Sequence, residues 1–231
     1  LAGVALGGRA SLLGPALAKS RLGVDEVVTT LLLNFIVLLF VSAMLDGPMK
    51  DASAMGWPQS VAIQDALQLG KLIERSRVHT GLLWSLAAAL ALWARLRHTT
   101  AGCEIRAVGA NARAAAITDM PVAAVQVKVA LLSGALAGLA GAIEVAGRAG
   151  YVTLDMSPGY GYSGIVIAML AALNPLGVVA AAIFVAGILV GADSMSRAVN
   201  VPTYIADVIV SVSLIAVLVA TMFTQYRLRW K

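Results

Sequence analysis

From Val27 to Leu45 the sequence carries no charged side chain. A bilayer core is about 30 Å thick, and a helix needs about 20 apolar residues to cross it. This run constrains the fold more than any other feature. Thr80–Leu96, Val122–Ala146 and Thr203–Phe223 are further apolar spans, interrupted by few charges. Two shorter stretches, Tyr162–Leu173 and Val178–Val190, flank the turn signal Asn174-Pro175-Leu176-Gly177. The first of them is too short to cross alone. The region 160–192 therefore reads as either a tilted span and its return or a broken, partly re-entrant hairpin. The expectation is an all-α, polytopic transmembrane helical bundle with about five to six membrane segments, one of them short or broken.

Composition agrees. Hydrophobic residues make up 60% of the 231 positions and charged residues 13%. Soluble domains average about 45–50% apolar and about 25% charged. The mean hydropathy is +0.87. A membrane β-barrel would alternate apolar and polar residues over segments of roughly ten, and the continuous runs exclude that pattern. The net charge of +5 would suggest nucleic acid in a soluble protein. Here the basic residues gather at the ends of apolar runs, which is a topology signal, and no nucleic-acid partner is expected. Cys103 is the single cysteine, so no disulfide framework or thiol metal site is expected, and no other metal site is foreseen. The Gly- and Ala-rich segment Leu1–Ser20 reads as the tail of something longer, which makes the chain a piece lacking N-terminal helices.

Basic clusters at Arg9/Lys19/Arg21, at Arg95/Arg97/Arg106/Arg113 and at Arg227/Arg229/Lys231 fall on one side by alternation of the spans. That side reads as cytoplasmic, with the C-terminus on it. Residues 46–79 then form an extracytoplasmic loop. Residues 98–120 form a cytoplasmic connector within a single membrane domain over 1–231.

The helix from Val122 is the richest in small residues. Gly134 and Gly138 lie one turn apart, and Ala137 and Gly141 repeat the spacing. Such residues let helix backbones approach closely in lipid. Gly187 and Gly191 form a second such pair. At about 100° per residue, Gln126, Ser133, Ala137 and Glu144 share one helix edge. That edge serves helix packing or lines a substrate path, since intramembrane polar groups face a bundle interior or a cavity. Lys128 points elsewhere and snorkels to the interface. Thr30 and Asn34 are one turn apart in the first span, and Asn34 requires protein or water beside it. Asp207 reads as interfacial.

The connector is too polar to enter the membrane and too apolar for a solvated loop. Ile105, Ala107 and Val108 suggest a short helix with a docking face, or one lying in the headgroups. The run Thr100-Ala-Gly102-Cys-Glu-Ile105-Arg106-Ala107-Val108-Gly109-Ala-Asn111-Ala-Arg-Ala-Ala115 resembles the cytoplasmic coupling segment of ATP-binding cassette (ABC) importer permeases for simple sugars, nucleosides and branched-chain amino acids. Leu132–Ala142 looks like the next helix of that family, and Gly164-Ile165…Asn174-Pro175-Leu176-Gly177 like a third block. Val24–Asn34 looks most like its nucleoside branch. The likeness covers residues 20–225. The family usually has Gly-Ile where Thr118-Asp119-Met120 stands, and often Gly-Arg where Ala171-Ala172 stands.

The resemblance implies a bacterial plasma-membrane permease subunit moving a small polar solute, with a nucleoside or simple sugar favoured. It implies a separate ATPase subunit that binds the ATP, a second permease subunit and an extracytoplasmic substrate-binding protein. It also implies that Gly102, Ile105, Arg106, Ala107, Val108, Gly109, Asn111 and Ala115 couple the chain to the ATPase. Thr30, Asn34, Gln126, Ser133 and Glu144 are the translocation-path candidates. No cofactor is expected on this chain, and no catalytic residue: Gly70-Lys71 lacks the earlier Gly and the following hydroxyl of a phosphate loop. The rival readings are an ion-coupled secondary transporter and a structural subunit of a membrane complex. The first should show internal repeats and embedded carboxylates.

Overall fold

The structure, a computed structural model, describes residues 2–22, 25–52, 54, 56–64, 68–70, 79–157 and 159–199. Beyond these it describes 204–205, 208–209, 211–212, 215–216 and 219–220. Lys71, Asp207, Arg227, Arg229 and Lys231, named above, lie outside them. The chain divides into two compact units, Leu1–Met156 and Ser157–Lys231. Both are helical. Among the described residues, extended pairing is limited to isolated bridges such as Gln59 with Thr153.

The first unit begins with a helix where the sequence suggested a tail. Helix α1 spans Ala2–Leu22 and contains Pro15. It runs antiparallel along a later helix, α6 (Val122–Glu144). The reason is side-chain size. A Cβ at Gly134 would meet the Gly8 carbonyl, and one at Gly138 would meet the carbonyl of Val4. A Cβ at Gly8 would in turn strike the Gly134 carbonyl. Backbones this close exchange dispersion contacts that bulky side chains would prevent. The stretch is not apolar enough to announce a span, and its order comes from this interface. Gly141, Gly187 and Gly191 differ: nothing among the described residues stands within 4 Å of a Cβ there.

Helix α2 (Glu26–Asp46) starts where the Asp25 carboxylate accepts the Val27 amide at 2.9 Å. Helix α3 covers Gly81–His98. Both match the spans read from the sequence. Val27–Asp46 and Val122–Ala149 are long and apolar enough to cross a membrane. Helix α6 ends in a π turn, Val145–Ala149, closed by Gly150 at φ 73°.

The loop after α2 is stitched to the chain beyond that turn. Ser60, 5% exposed, donates its amide to the Val152 carbonyl at 3.0 Å. Its Oγ accepts the Val152 amide at 2.8 Å. Ile63 donates to the Gly150 carbonyl at 2.7 Å. These bonds satisfy backbone groups that burial would otherwise leave orphaned.

In the second unit, α7 (Tyr160–Leu170) and α8 (Pro175–Val199) form a helical hairpin. Val166 and Val185 meet in its core with Ile167, Ile188 and Leu189 beside them. Eleven residues of α7 rise only about 16 Å, roughly half the bilayer core. Of the two readings of 160–192, α7 is the short element. Helix α8 continues past the apolar stretch Val178–Val190 as far as Val199. The turn between the helices holds Ala172 at φ 48° and Leu173 at φ 59°. The described positions from Tyr204 to Ala220 are helical as well.

Candidate coupling segment and the cavity beside it

The connector between α3 and α6 is two helices, α4 (Thr100–Ala110) and α5 (Ala112–Ile117). Thr99 makes the break before α4. Its hydroxyl donates to the Arg95 carbonyl at 2.6 Å and accepts the Gly102 amide at 3.1 Å. One side chain therefore closes the end of α3 and caps the start of α4. The fold-back is tight at Gly102, where a Cβ would collide with the carbonyls of Arg95 and Leu96.

Asn111 makes the second break. Its Oδ1 accepts the amides of Arg113 and Ala114, both at 3.1 Å, while its own amide donates to the Ala107 carbonyl at 3.1 Å. It ends α4 and caps α5. Asn111→Ala is expected to lower stability by about 1 kcal/mol, whereas Asn111→Ser keeps a capping oxygen and loses little. Thermal unfolding of the two variants checks this. Asp119 then turns the chain into α6 at φ 56°. A carboxylate residue occupies the left-handed position there, where the resembled family carries Gly in the same short stretch.

Apolar side chains fasten this element to α6. Val108, Ala115 and Val125 form a buried cluster, with Ile105, Met120 and Val122 against it. Val108 and Ala115 are 8% and 4% exposed and packed within their own chain. The outward face carries Arg106, Asn111 and Arg113. It also carries Ile117, 85% exposed and the most exposed large apolar side chain among the described residues. The sequence reading missed Ile117. Its signal was an isolated large apolar residue beside Arg113 and Asp119.

Against the other side of α4 lies a cavity of about 370 Å³. Its wall includes Ile105, Val108 and Gly109 from α4, and Val125, Gln126, Val129 and Ser133 from α6. Helix α1 contributes Pro15, Ala16 and Lys19, and α2 contributes Thr30. Three of the path candidates, Thr30, Gln126 and Ser133, therefore share one space with the coupling segment. The Thr30 hydroxyl donates to the Val27 carbonyl at 3.0 Å. Neither Gln126 nor Ser133 makes a side-chain hydrogen bond among the described residues, so both present polar groups to the cavity.

Asn34 and Glu144 do not join them. Asn34 is exposed on α2. Glu144 lies 18 residues beyond Gln126 on α6, about 27 Å along the axis. Its carboxylate pairs with Arg148 at 2.7 Å. That pair is partly solvated, with the Arg148 side chain 57% exposed, and contributes little stability.

The branched-chain amino acid transport system / permease component family matches residues 1–218. The chain belongs to that family. Three relatives within reach of this permease are characterised by name. The glucose ABC transporter permease protein TsgB13 of Haloferax volcanii is 33% identical over 223 residues, covering 92% of this chain and 58% of the relative. The guanosine ABC transporter permease protein NupP of Bacillus subtilis is 31% identical over 218 residues, covering 94% and 61%. The nucleoside ABC transporter permease protein NupB of Lactococcus lactis subsp. cremoris is 26% identical over 191 residues, covering 79% and 52%. The permease chain thus spans 52% to 61% of the length of these relatives. No solved structure matches it.

Proposed function

We propose that the chain is the membrane-spanning permease subunit of an ABC importer, carrying a nucleoside or a simple sugar across the plasma membrane. The observation that carries this reading is the two-sided placement of α4–α5. One side exposes Arg106, Arg113 and Ile117, and the other walls the cavity that holds Thr30, Gln126 and Ser133. Relatives named for glucose, guanosine and nucleosides support the substrate class.

In this mechanism ATP binds and is hydrolysed on a partner ATPase, and this chain performs no catalysis. The ATPase docks on the outward face of α4–α5 in the cytoplasm, the side that also holds the C-terminus. Closure of the ATPase pair displaces that face. The Val108–Ala115–Val125 cluster fastens α4–α5 to the first turns of α6, so α6 moves with it. Gln126 and Ser133 then change their exposure to the solute. The ATPase drives the change only by contacting two permease states differently. An extracytoplasmic binding protein delivers solute on the side of the 46–79 loop, and a second permease subunit completes the pathway.

Site-directed crosslinking tests the docking surface. Cys103 is exposed and is replaced by Ser first. A thiol-reactive photocrosslinker at Ile117→Cys is expected to capture the ATPase subunit in membranes, with a yield that changes on adding ATP and vanadate. The same probe at Ile183→Cys, on exposed α8 surface, is the control. Capture from both positions alike, or from neither, contradicts the docking surface.

A further inference from the structure

On another side of the α1–α6 pair, a cleft of about 220 Å³ gathers three cations from three helices: Arg9 of α1, Arg95 of α3 and Lys128 of α6. None of the three makes an ion pair or a side-chain hydrogen bond among the described residues. The rest of the wall is Leu131, Leu132 and Ala135. We propose that this cleft binds an anionic phospholipid, its phosphate among Arg9, Arg95 and Lys128 and an acyl chain along Leu131, Leu132 and Ala135.

The spacing carries the first part of the argument. Lys128, Leu131, Leu132 and Ala135 stand at i, i+3, i+4 and i+7, which places them on one helix face. The cation sits nearer the start of α6, and the apolar stripe runs from it toward the helix middle, over about 10 Å. A headgroup above and a hydrocarbon tail below match that order.

Arg9 carries the second part. Its neighbour Gly8 touches Gly134, at the middle of a helix long enough to cross the membrane. A guanidinium at that depth needs an anion or a route to the interface. It takes the route, reaching the cleft shared with Lys128 and Arg95 near the end of α3. Three like charges gathered there repel one another, and a phosphate relieves the repulsion. The same chemistry would suit a soluble phosphate. The apolar remainder of the wall favours the lipid, because a hydrated anion gains nothing from two leucines. Basic pockets between membrane helices on the cytoplasmic side are suited to acidic headgroups.

Native mass spectrometry of the full chain in mild detergent tests this, with phosphatidylglycerol and phosphatidylcholine of identical acyl chains offered in turn. Wild type is expected to retain phosphatidylglycerol at least about tenfold better. The variant Arg9→Gln/Arg95→Gln/Lys128→Gln should lose that preference. Lys50→Gln/Arg106→Gln/Arg113→Gln, matched in charge, should keep it. Equal retention of the two lipids by wild type, or equal loss in both triple variants, overturns the proposal. Glycerol 3-phosphate at millimolar concentration separates the sources. If it displaces phosphatidylglycerol from wild type, the ligand is a soluble anion and the lipid assignment fails. Should the first triple variant misfold, Arg95→Gln and Lys128→Gln singly, at exposed positions, are each expected to reduce the preference several-fold; an unchanged preference in both overturns it.

Discussion

Ile117→Asp is expected to abolish solute uptake while leaving the protein inserted and folded. The side chain is 85% exposed, so no internal packing is lost. What is lost, on the proposed function, is an anchor for the ATPase. Burying an isoleucine at an interface contributes about 1.5–3 kcal/mol, and its replacement by a carboxylate adds the desolvation of a charge. Even the lower figure weakens docking about tenfold. Ile117→Leu keeps the anchor and should transport normally. The readouts are uptake in proteoliposomes and co-purification of the ATPase, with size-exclusion profiles as the folding check. Wild-type uptake by Ile117→Asp would remove α5 from the coupling surface.

Gly134→Leu is expected to have the largest structural effect. The residue faces the Gly8 carbonyl too closely for any Cβ. Helices α1 and α6 would have to separate along the stretch that also contains Gly138. Overpacking of a close interface costs about 1–3 kcal/mol, and a leucine wedged between two backbones lies at or above the top of that range. A large fall in the thermal midpoint in detergent should result. Gly141→Leu is the internal control, about two turns further along the same stripe of small residues, with open space where its side chain would go. It should leave stability near wild type. Equal loss in both variants would show that helix propensity or lipid contact, rather than the approach to α1, governs this stripe.

That pair of glycines shows where sequence reasoning stops. The spacing of Gly134, Gly138 and Gly141 announces a close-packing helix, but it does not name the partner. The partner is α1, whose own glycines, alanines and Pro15 made it look like a tail. A helix ordered by small-residue contact leaves a weak hydropathy signal, because its stabilisation comes from backbone approach rather than from large apolar side chains. The uncharged run from Val27 to Leu45, by contrast, needed no partner to be legible, and α2 begins and ends within one residue of it. Length and the absence of charge suffice when the solvent is lipid.

The connector between α3 and α6 was legible as a block and illegible in its sides. Ile105 and Val108 read as a docking face because an amphipathic helix shows that it has an apolar side, not what covers it. The structure covers Val108 with Ala115 and Val125 of the same chain. Asn111 read as a contact and is a cap for two helices. Gln126 and Glu144 share an edge in angle, yet they lie near opposite ends of α6. An angular plot carries no depth, and depth decides that Gln126 borders the cavity and Glu144 pairs with Arg148.

Uptake in proteoliposomes tests the central claim most directly. The full-length permease is reconstituted with its ATPase and binding protein, and radiolabelled guanosine and glucose are offered separately. Uptake of one of them should require ATP and collapse with vanadate. It should survive an uncoupler while ATP is held constant. Uptake that persists under vanadate and falls with the uncoupler would contradict the account, and would make the chain part of an ion-driven carrier.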